Sequence, residues 1–422
     1  MTNLFAPDEL AGAALYTDMA RNFRDAGHEV RVTTTFPYYP GWRLRPEDRG
    51  VEVREESFER MRVRRVGMHV PAAPTGRGRM LSDASFLWSL VRRGKFRGWR
   101  PDVVVTACPM LSQCLAQRFL YRGEGVPRLI IVQDFVVDAA LELGILKVPG
   151  IGGVLRAGER WALRSAATLS TISPEMLEKL AEKIGGDRRL LWTPNWIHSS
   201  LMREIECQES AGQGRRERGQ LLYSGNVGVK QALPEFVRVF RGISTGWQLR
   251  VQGAGTDKAN LREGDGVDDG RVSFGEVSDE VGYVASLRRT SACLITQKAG
   301  VSANFLPSKL LPALATGTPV LAVCDAASPL GREVAEGGFG AVVAPGDGSG
   351  IEAVLRAWDD DPAALEALGQ RAKERARRYR AREILGTYLA ELERLVGTEV
   401  PGALGGEPGE IAPVLGGISH RL

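Results

Sequence analysis

The sequence predicts an α/β protein built from two Rossmann-like, doubly wound domains that face a central cleft. Three observations carry this expectation. The chain has 422 residues, more than one ordinary hydrophobic core accommodates. Short apolar runs alternate with segments of helical spacing, the pattern of parallel βαβ units. The alternation also runs twice, with a break at Thr193 to Ser199, where Pro194 and Trp196 precede a polar stretch from Arg203 to Gln220. The domains are therefore placed at 1–195 and 196–365.

In the first half, Ala13, Ala14, Tyr16, Met19, Ala20 and Phe23 repeat at helical spacing, and Gly27 follows as a C-cap. Glu29 to Thr35, Val103 to Thr106 and Leu129 to Val132 read as strands. The opening is unusual, because only Met1 to Phe5 precede the first loop, Ala6-Pro7-Asp8. The first strand is short, or the true start lies upstream; the second is the expectation. In the second half, strands are expected at Leu221 to Ser224, Leu249 to Gln252, Cys293 to Thr296 and Val320 to Val323. Helices are expected at Leu233 to Phe240, Ser278 to Leu287 and Pro307 to Ala315. Helical segments run from Pro362 to Val396, and the Gly- and Pro-rich tail 399–422 reads as disordered.

Composition excludes several classes. With 43% hydrophobic and 25% charged residues the chain is an ordinary globular protein, and a net charge of +4 gives no bulk attraction to nucleic acid. Cys108, Cys114, Cys207, Cys293 and Cys324 show no CxxC spacing and read as reduced, small hydrophobes. Four histidines without an HxxxH pair offer no metal site. No signal peptide and no run of about 18 apolar residues is legible, so a cytoplasmic protein is expected. Arg92, Arg93, Lys95, Arg97 and Arg100 interleave with Phe86, Leu87, Trp88, Leu90, Val91, Phe96 and Trp99. That mixture suits either an anionic membrane surface or a solvated helix with buried anchors.

Several segments have the chemistry of an anion site. Tyr223-Ser224-Gly225-Asn226-Val227-Gly228-Val229-Lys230 follows a strand and precedes a helix. Gly225 and Gly228 let the backbone approach a phosphate, and Lys230 adds a full charge. A turn that needs glycine for geometry alone is the alternative. In Asn304-Phe305-Leu306-Pro307-Ser308-Lys309, Pro307 suits a first helical position and leaves the Ser308 and Lys309 amides free. Plain helix capping is the alternative there. Gln252-Gly253-Ala254-Gly255 reads first as a structural turn, and second as a close backbone approach. In the first half, Gly12 closes a strand-to-helix loop, and Asp134 and Asp138 follow a strand end, where ligands of open α/β sheets bind. Asp134 suits an acceptor hydroxyl; Asp138 reads as a helix cap and His28 as structural.

In order and spacing these residues resemble glycosyltransferase family 4, in the branch that builds bacterial exopolysaccharide and O-antigen units, such as the colanic-acid-type enzymes. The resemblance spans most of residues 3 to 345. It rests on Ala6-Pro7-Asp8…Gly12, Gly27-His28-Glu29-Val30, Pro37-Tyr38-Tyr39-Pro40, Gln133-Asp134, Ile172-Ser173, Pro194-Asn195-Trp196, Ser224 to Gly228 and Pro307-Ser308-Lys309. It implies the GT-B fold, a nucleoside-diphosphate sugar held by the second domain as co-substrate, retention of anomeric configuration, and neither cofactor nor catalytic metal. It implies that Lys230 and the amides of Ser308 and Lys309 stabilise the leaving diphosphate. Gly12 would approach the phosphates, and Gly275-Glu276-Val277 would contact the base. Helices 366–398 would pack back on the first, acceptor-binding domain. A glycan or polyprenyl-linked acceptor at the inner membrane face is the implied partner.

The family often carries two glutamates eight residues apart, the second gripping the donor ribose; here Asn304 and Pro312 occupy those positions. Asn226 replaces a basic residue common in the glycine loop. An isomerase of the nucleotide-sugar 2-epimerase kind and a non-catalytic GT-B binding protein are the competing readings. A nicotinamide oxidoreductase is disfavoured by the glycine spacing.

Overall fold

The computed structural model describes residues 1–8, 12–39, 41–72, 75–108, 110–142, 151–186, 188–212, 216–255, 261, 270–300 and 306–397. The chain forms two compact units, one of Met1–Pro194 with the chain from Ile384 onward, the other of Asn195–Glu383.

The first unit begins with an extended opening segment, then α1 (Gly12–Asp25) and β1 (Arg31–Thr35). A hairpin of β2 (Val53–Phe58) and β3 (Met61–Val66) follows, with β3 parallel to β1, so that the first sheet has the order β1-β3-β2. Next come α2 (Gly76–Arg93), β4 (Val104–Cys108), α3 (Leu111–Leu120), β5 (Arg128–Val132), α4 (Val136–Glu142), α5 (Ile151–Leu163), β6 (Thr168–Thr171), α6 (Pro174–Ile184) and β7 (Arg189–Trp192). Strands β4 to β7 form a second, parallel sheet in chain order. The opening segment runs between β1 and β4. The Met1 nitrogen donates to Val105 O (2.7 Å), Ala107 N–H to Met1 O (3.0 Å) and Thr2 N–H to Thr33 O (3.1 Å).

The second unit starts with α7 (Ser199–Ser210), where the sequence suggested a polar connection. The helix forms because Leu201, Ile205 and Gln208 fall on one buried face, and the His198 ring accepts the Leu201 N–H as N-cap. It continues through β8 (Gln220–Asn226), α8 (Leu233–Gly242), β9 (Gln248–Ala254), β10 (Val272–Gly275), α9 (Glu280–Arg289) and β11 (Ala292–Thr296). Then follow α10 (Leu310–Ala315), β12 (Val320–Val323), α11 (Pro329–Gly337), β13 (Gly340–Val343), α12 (Gly348–Asp360) and α13 (Pro362–Ala376). The sheet is parallel, in the order β10-β9-β8-β11-β12-β13. Apolar side chains fill both its faces, with Tyr223, Phe240 and Trp247 among the largest fully buried.

The last helix, α14 (Ala381–Val396), packs from Ile384 onward in the first unit. The Tyr388 hydroxyl accepts from Thr193 Oγ1 (2.6 Å), and the Glu391 carboxylate accepts from Thr168 and from Arg189 Nε (2.8 Å). Of the segment 366–398 expected there, however, α13 stays in the second unit. Gly369 and Lys373 close on the turn at Gly317, and Ala372 and Ala376 join the core that holds Leu310 and Leu314. The proposed tail 399–422 lies outside the described residues.

Two side-chain expectations are corrected. Cys108 and Cys114 are disulfide-bonded rather than reduced, because the end of β4 and the first turn of α3 bring their Cα atoms to 6.5 Å. Asp138 lies inside the first turn of α4 and does not cap it. Its carboxylate pairs with Lys183 (2.9 Å), Arg156 (3.4 Å) and Lys179 (3.5 Å), and burial is outweighed by these cations, which hold it below the usual carboxylate range.

Candidate functional site: a glycine loop and a buried lysine at the switch of a parallel sheet

In the second unit the chain lays β9 and β10 on one side of β8 and then crosses to start β11 on the other. Helices leaving β8 and β11 diverge at such a switch point, and the crevice outside the carboxyl ends of those strands is where open α/β sheets take ligands. Several of the residues picked from sequence lie there. The glycine loop continues β8, Lys309 follows β11, and the register sets Gly225 beside Gly253 and Gln252 beside Gly275.

The loop is held open by its own chemistry. Gly225 has φ +121°, a backbone geometry that side chains rarely adopt. The Tyr223 hydroxyl donates to the Asn226 carbonyl (2.6 Å), bracing the turn from below. Gly228 N–H donates to the Gln231 side chain (3.1 Å), and the Asn226 side-chain amide reaches the same oxygen (3.4 Å). The single turn Val229–Gln231 carries half-buried Lys230, whose carbonyl is fixed by Lys298 N–H (2.9 Å). Gly253 has a steric reason to be glycine: a Cβ there would lie 2.6 Å from Val227 Cγ2 and 2.8 Å from Gly225 O. The structural turn and the close approach are thus one feature.

Lys309 is the unusual member. Its Nζ lies 3.7 Å from the Tyr223 ring centroid, a cation–π contact. This nitrogen is shielded from solvent and has no hydrogen-bond partner among the described residues. A Cβ on Gly225 would come within 3.8 Å of this nitrogen, which places the ammonium directly against the loop. Burial lowers its pKa to about 8. The same burial pushes the neighbouring Cys293 thiol up to about 12, and the Tyr223 phenol upward too, so neither supplies a negative charge at neutral pH. A buried cation without a counterion is costly.

The helix behind Lys309 is shorter than expected. Pro307 precedes α10, which starts at Leu310, and the Leu310 and Leu311 amides close turns onto the Pro307 and Ser308 carbonyls (3.0 and 3.3 Å). The Ser308 and Lys309 amides find no acceptor among the described residues. Pro312 sits in the first turn of α10, and Leu306 is half-buried against the core. Asn304 and Phe305 lie outside the described residues. Glu276 and Val277 are exposed just past the end of β10.

The other two candidates belong to the first unit. Gly12 opens α1, where a Cβ would strike the Tyr16 ring at 2.7 Å. Asp134 is exposed beyond the carboxyl end of β5. His28, read as structural, borders a cavity between β1 and β4.

Similarity to known proteins defines the class: the chain is a glycosyltransferase of the GT-B fold. Its architecture is similar to sucrose-phosphate synthase from Thermosynechococcus elongatus, at a TM-score of 0.64, 16% identity, and 90% of this chain over 92% of that one. It is equally similar to Anabaena HepE, solved in complex with UDP, at a TM-score of 0.64, 10% identity, and 93% of this chain over 99% of that one. Residues 11–196 match the glycosyl transferase 4-like domain. The chain is 30% identical over 339 residues to the Escherichia coli (strain K12) protein named as colanic acid biosynthesis glycosyl transferase WcaI, covering 77% of this chain and 82% of that one. It therefore belongs to glycosyltransferase family 4. A glycogen synthase of Mycobacterium tuberculosis is 28% identical over 306 residues, which is 68% of this chain and 67% of the synthase.

Proposed function

We propose that the chain transfers a sugar, with retention of anomeric configuration, from a nucleoside-diphosphate sugar to a glycan or lipid-linked acceptor in cell-surface polysaccharide synthesis. The observation that carries this reading is the Lys309 ammonium beneath the glycine loop, which has no hydrogen-bond partner among the described residues. Such a site is built for an anion, and a diphosphate supplies the missing charge.

In the proposed reaction the bond from the sugar C1 to the diphosphate oxygen breaks, and a bond from C1 to the acceptor oxygen forms. Negative charge develops on the leaving diphosphate. Lys230, Lys309 and the amides of Ser308 and Lys309, which find no acceptor among the described residues, would meet it, with Gly225, Gly228 and Gly253 allowing the backbone to come close. This reading assigns charge neutralisation to protein groups, with the nucleotide sugar as co-substrate and no resident cofactor or metal. Glu276 and Val277 would meet the base, Gly12 the phosphates and Asp134 an acceptor hydroxyl. HepE, solved with UDP and with UDP-glucose, and the name carried by WcaI support the substrate class.

No described helix is long and apolar enough to cross a membrane. A surface contact is proposed through α2. Phe86 and Leu90 are its buried anchors, while Met80, Leu81, Trp88 and Val91 form an exposed apolar stripe beside Arg77 and Arg92.

Thermal stability measured against a panel of nucleoside diphosphates and nucleotide sugars tests the donor. A rise with one nucleotide, followed by release of that nucleotide only when acceptor is added, is the expected result. Failure of every nucleotide to bind would sink the proposal. Binding without turnover over a broad acceptor panel would favour a binding protein, and sugar isomerisation without acceptor an epimerase.

A further inference from the structure

The glycosyl-transfer reading leaves the Pro37-Tyr38-Tyr39 segment after β1 without a task. This segment begins at the carboxyl end of a parallel pair, β1 with β3, the edge at which open α/β sheets take ligands. Thr2 N–H on Thr33 O (3.1 Å) and Thr35 Oγ1 on Asn3 O (2.7 Å) keep the opening segment alongside β1, so Ala6-Pro7-Asp8 reaches the same edge.

One buried guanidinium fixes both chains there. Arg65 donates to Ala6 O (2.5 Å) and to Thr35 O (3.0 Å), and pairs with Glu56 (2.7 Å). Ala6 N–H donates to Thr17 Oγ1 (2.9 Å), and Arg43 N–H to Tyr38 O (3.2 Å). A site held in this way is ordered before any ligand arrives.

Tyr38 is its centre. The ring is buried, and its hydroxyl accepts from the Asn3 side-chain amide (3.3 Å). Two half-buried rings stand edge-on to it, Tyr39 at 6.5 Å and 76° and Trp42 at 5.5 Å and 71°. Trp42 has φ +49°, a left-handed backbone that bulky residues rarely adopt, so the fold imposes the position of this ring. Arg79 of α2 lies 5.4 Å from its centroid, a cation–π contact. Asp8 completes the corner. Burial raises its carboxyl above the usual range, against the Tyr38 and Tyr39 amides that donate to it and the charges of Arg65 and Arg45. A carboxylate accepts about four hydrogen bonds, so these two donors leave acceptor capacity.

Aromatic rings beside such a carboxylate suit one ligand chemistry. A pyranose carries C–H groups on its faces and hydroxyls at its rim. Its face packs on an aromatic ring while its rim donates to an acceptor. A wholly apolar ligand would leave the Asp8 charge desolvated and unpaired. We propose that Tyr39, Trp42 and Asp8 form a sugar subsite, where a neutral pyranose of the acceptor lies against the two half-buried rings and gives a hydroxyl to the carboxylate. The assignment of that pyranose to the acceptor rests on the glycosyl-transfer reading. Trp42 supplies the ring contact, and Asp8 selects among sugars that differ in the direction of one hydroxyl.

The test uses simple glycosides as probes, the methyl pyranosides of glucose, galactose, mannose and fucose. Saturation-transfer NMR titrations measure their binding to the full chain and to its Trp42→Asn and Asp8→Asn variants. Asparagine accepts a left-handed backbone, so the first variant removes the ring and keeps the turn; melting curves confirm that both variants fold. At least one glycoside is expected to bind the parent, and to bind Trp42→Asn about tenfold or more weakly. In Asp8→Asn the preference among the glycosides is expected to shrink to within about twofold. Absence of binding to the parent, or equal binding to parent and Trp42→Asn, overturns the proposal. Melting curves with nucleoside diphosphates on the same samples separate the two readings. Nucleotide binding without glycoside binding overturns the subsite alone. Glycoside binding that depends on Trp42, without nucleotide binding, supports the subsite and sinks the transfer reading.

Discussion

The Lys309 ammonium rests 3.7 Å from the centroid of the Tyr223 ring, while the hydroxyl of the same tyrosine holds the Asn226 carbonyl. One side chain thus carries the buried cation on its face and the glycine loop on its tip. Lys309→Met removes the charge and keeps most of the stem. The free protein is expected to melt at a higher temperature, and the affinity for the donor diphosphate to fall about ten- to a hundredfold, as for loss of one charge-assisted hydrogen bond. Calorimetry and a melting curve read both effects.

The same residue sets a pH dependence with two signs. Its folded pKa of about 8 lies below the ordinary lysine value, so burial costs stability at pH values below about 8, and that cost is relieved as pH rises above it. Diphosphate binding favours the charged form and weakens over the same range. Donor affinity measured from pH 7 to 10 is expected to fall through the alkaline limb in the wild type and to lie flat in Lys309→Met.

Gly253→Ala tests the packing under the loop. The new methyl meets Val227 and the Gly225 carbonyl, and a carbonyl fixed in the ladder cannot move aside cheaply. A loss of about 1–3 kcal/mol of stability is expected, with weaker nucleotide binding because Gly225 must shift. An unchanged melting curve would show that the loop yields freely.

Glu391→Ala tests how α14 is held. Burial opposes the charge, but hydrogen bonds from Arg394, Thr168 and Arg189 bring the carboxyl below its ordinary pKa. Its stabilisation is therefore present above the unfolded glutamate pKa and lost as pH falls through the lower folded value. Arg189 and Arg394 are partly exposed and can rehydrate, whereas the Thr168 hydroxyl cannot. Removing the carboxylate is expected to cost about 1–3 kcal/mol, read by urea denaturation at pH 7.

The α2 surface predicts vesicle binding. Trp88→Ser with Leu81→Ser is expected to reduce co-sedimentation with anionic vesicles several-fold while leaving the melting temperature within about 1 °C, since both side chains are exposed. Equal sedimentation of variant and parent excludes this face.

The strands of the second unit's sheet were legible because buried parallel strands read as short apolar runs, as at Leu221 to Ser224 and Val320 to Val323. The β2–β3 hairpin was not. Four of its twelve strand residues are arginine and two are glutamate, and the ladder combines the buried Met61, Val63 and Val66 with the pairing of Glu55 with Arg62 and Arg64, and of Glu56 with Arg65. Lys309 was picked for its backbone amide, yet its side chain is the distinctive group. No spacing rule shows that residues 223 and 309 meet across the switch between β8 and β11. The Cys108–Cys114 link escaped for the same reason, since a separation of six residues signals a bond only once a strand end and a helix turn set the distance.

The docking of α14 on β6 and β7 also orders events at the ribosome. Thr168 and Thr193 wait for partners made about two hundred residues later, Glu391 and Tyr388. The intervening second unit draws its contacts from one continuous stretch and can close as soon as that stretch is synthesised. The part of the protein translated first is therefore the part completed last, and a nascent chain stopped before Ile384 leaves the β6 and β7 side of its β4–β7 sheet without these partners.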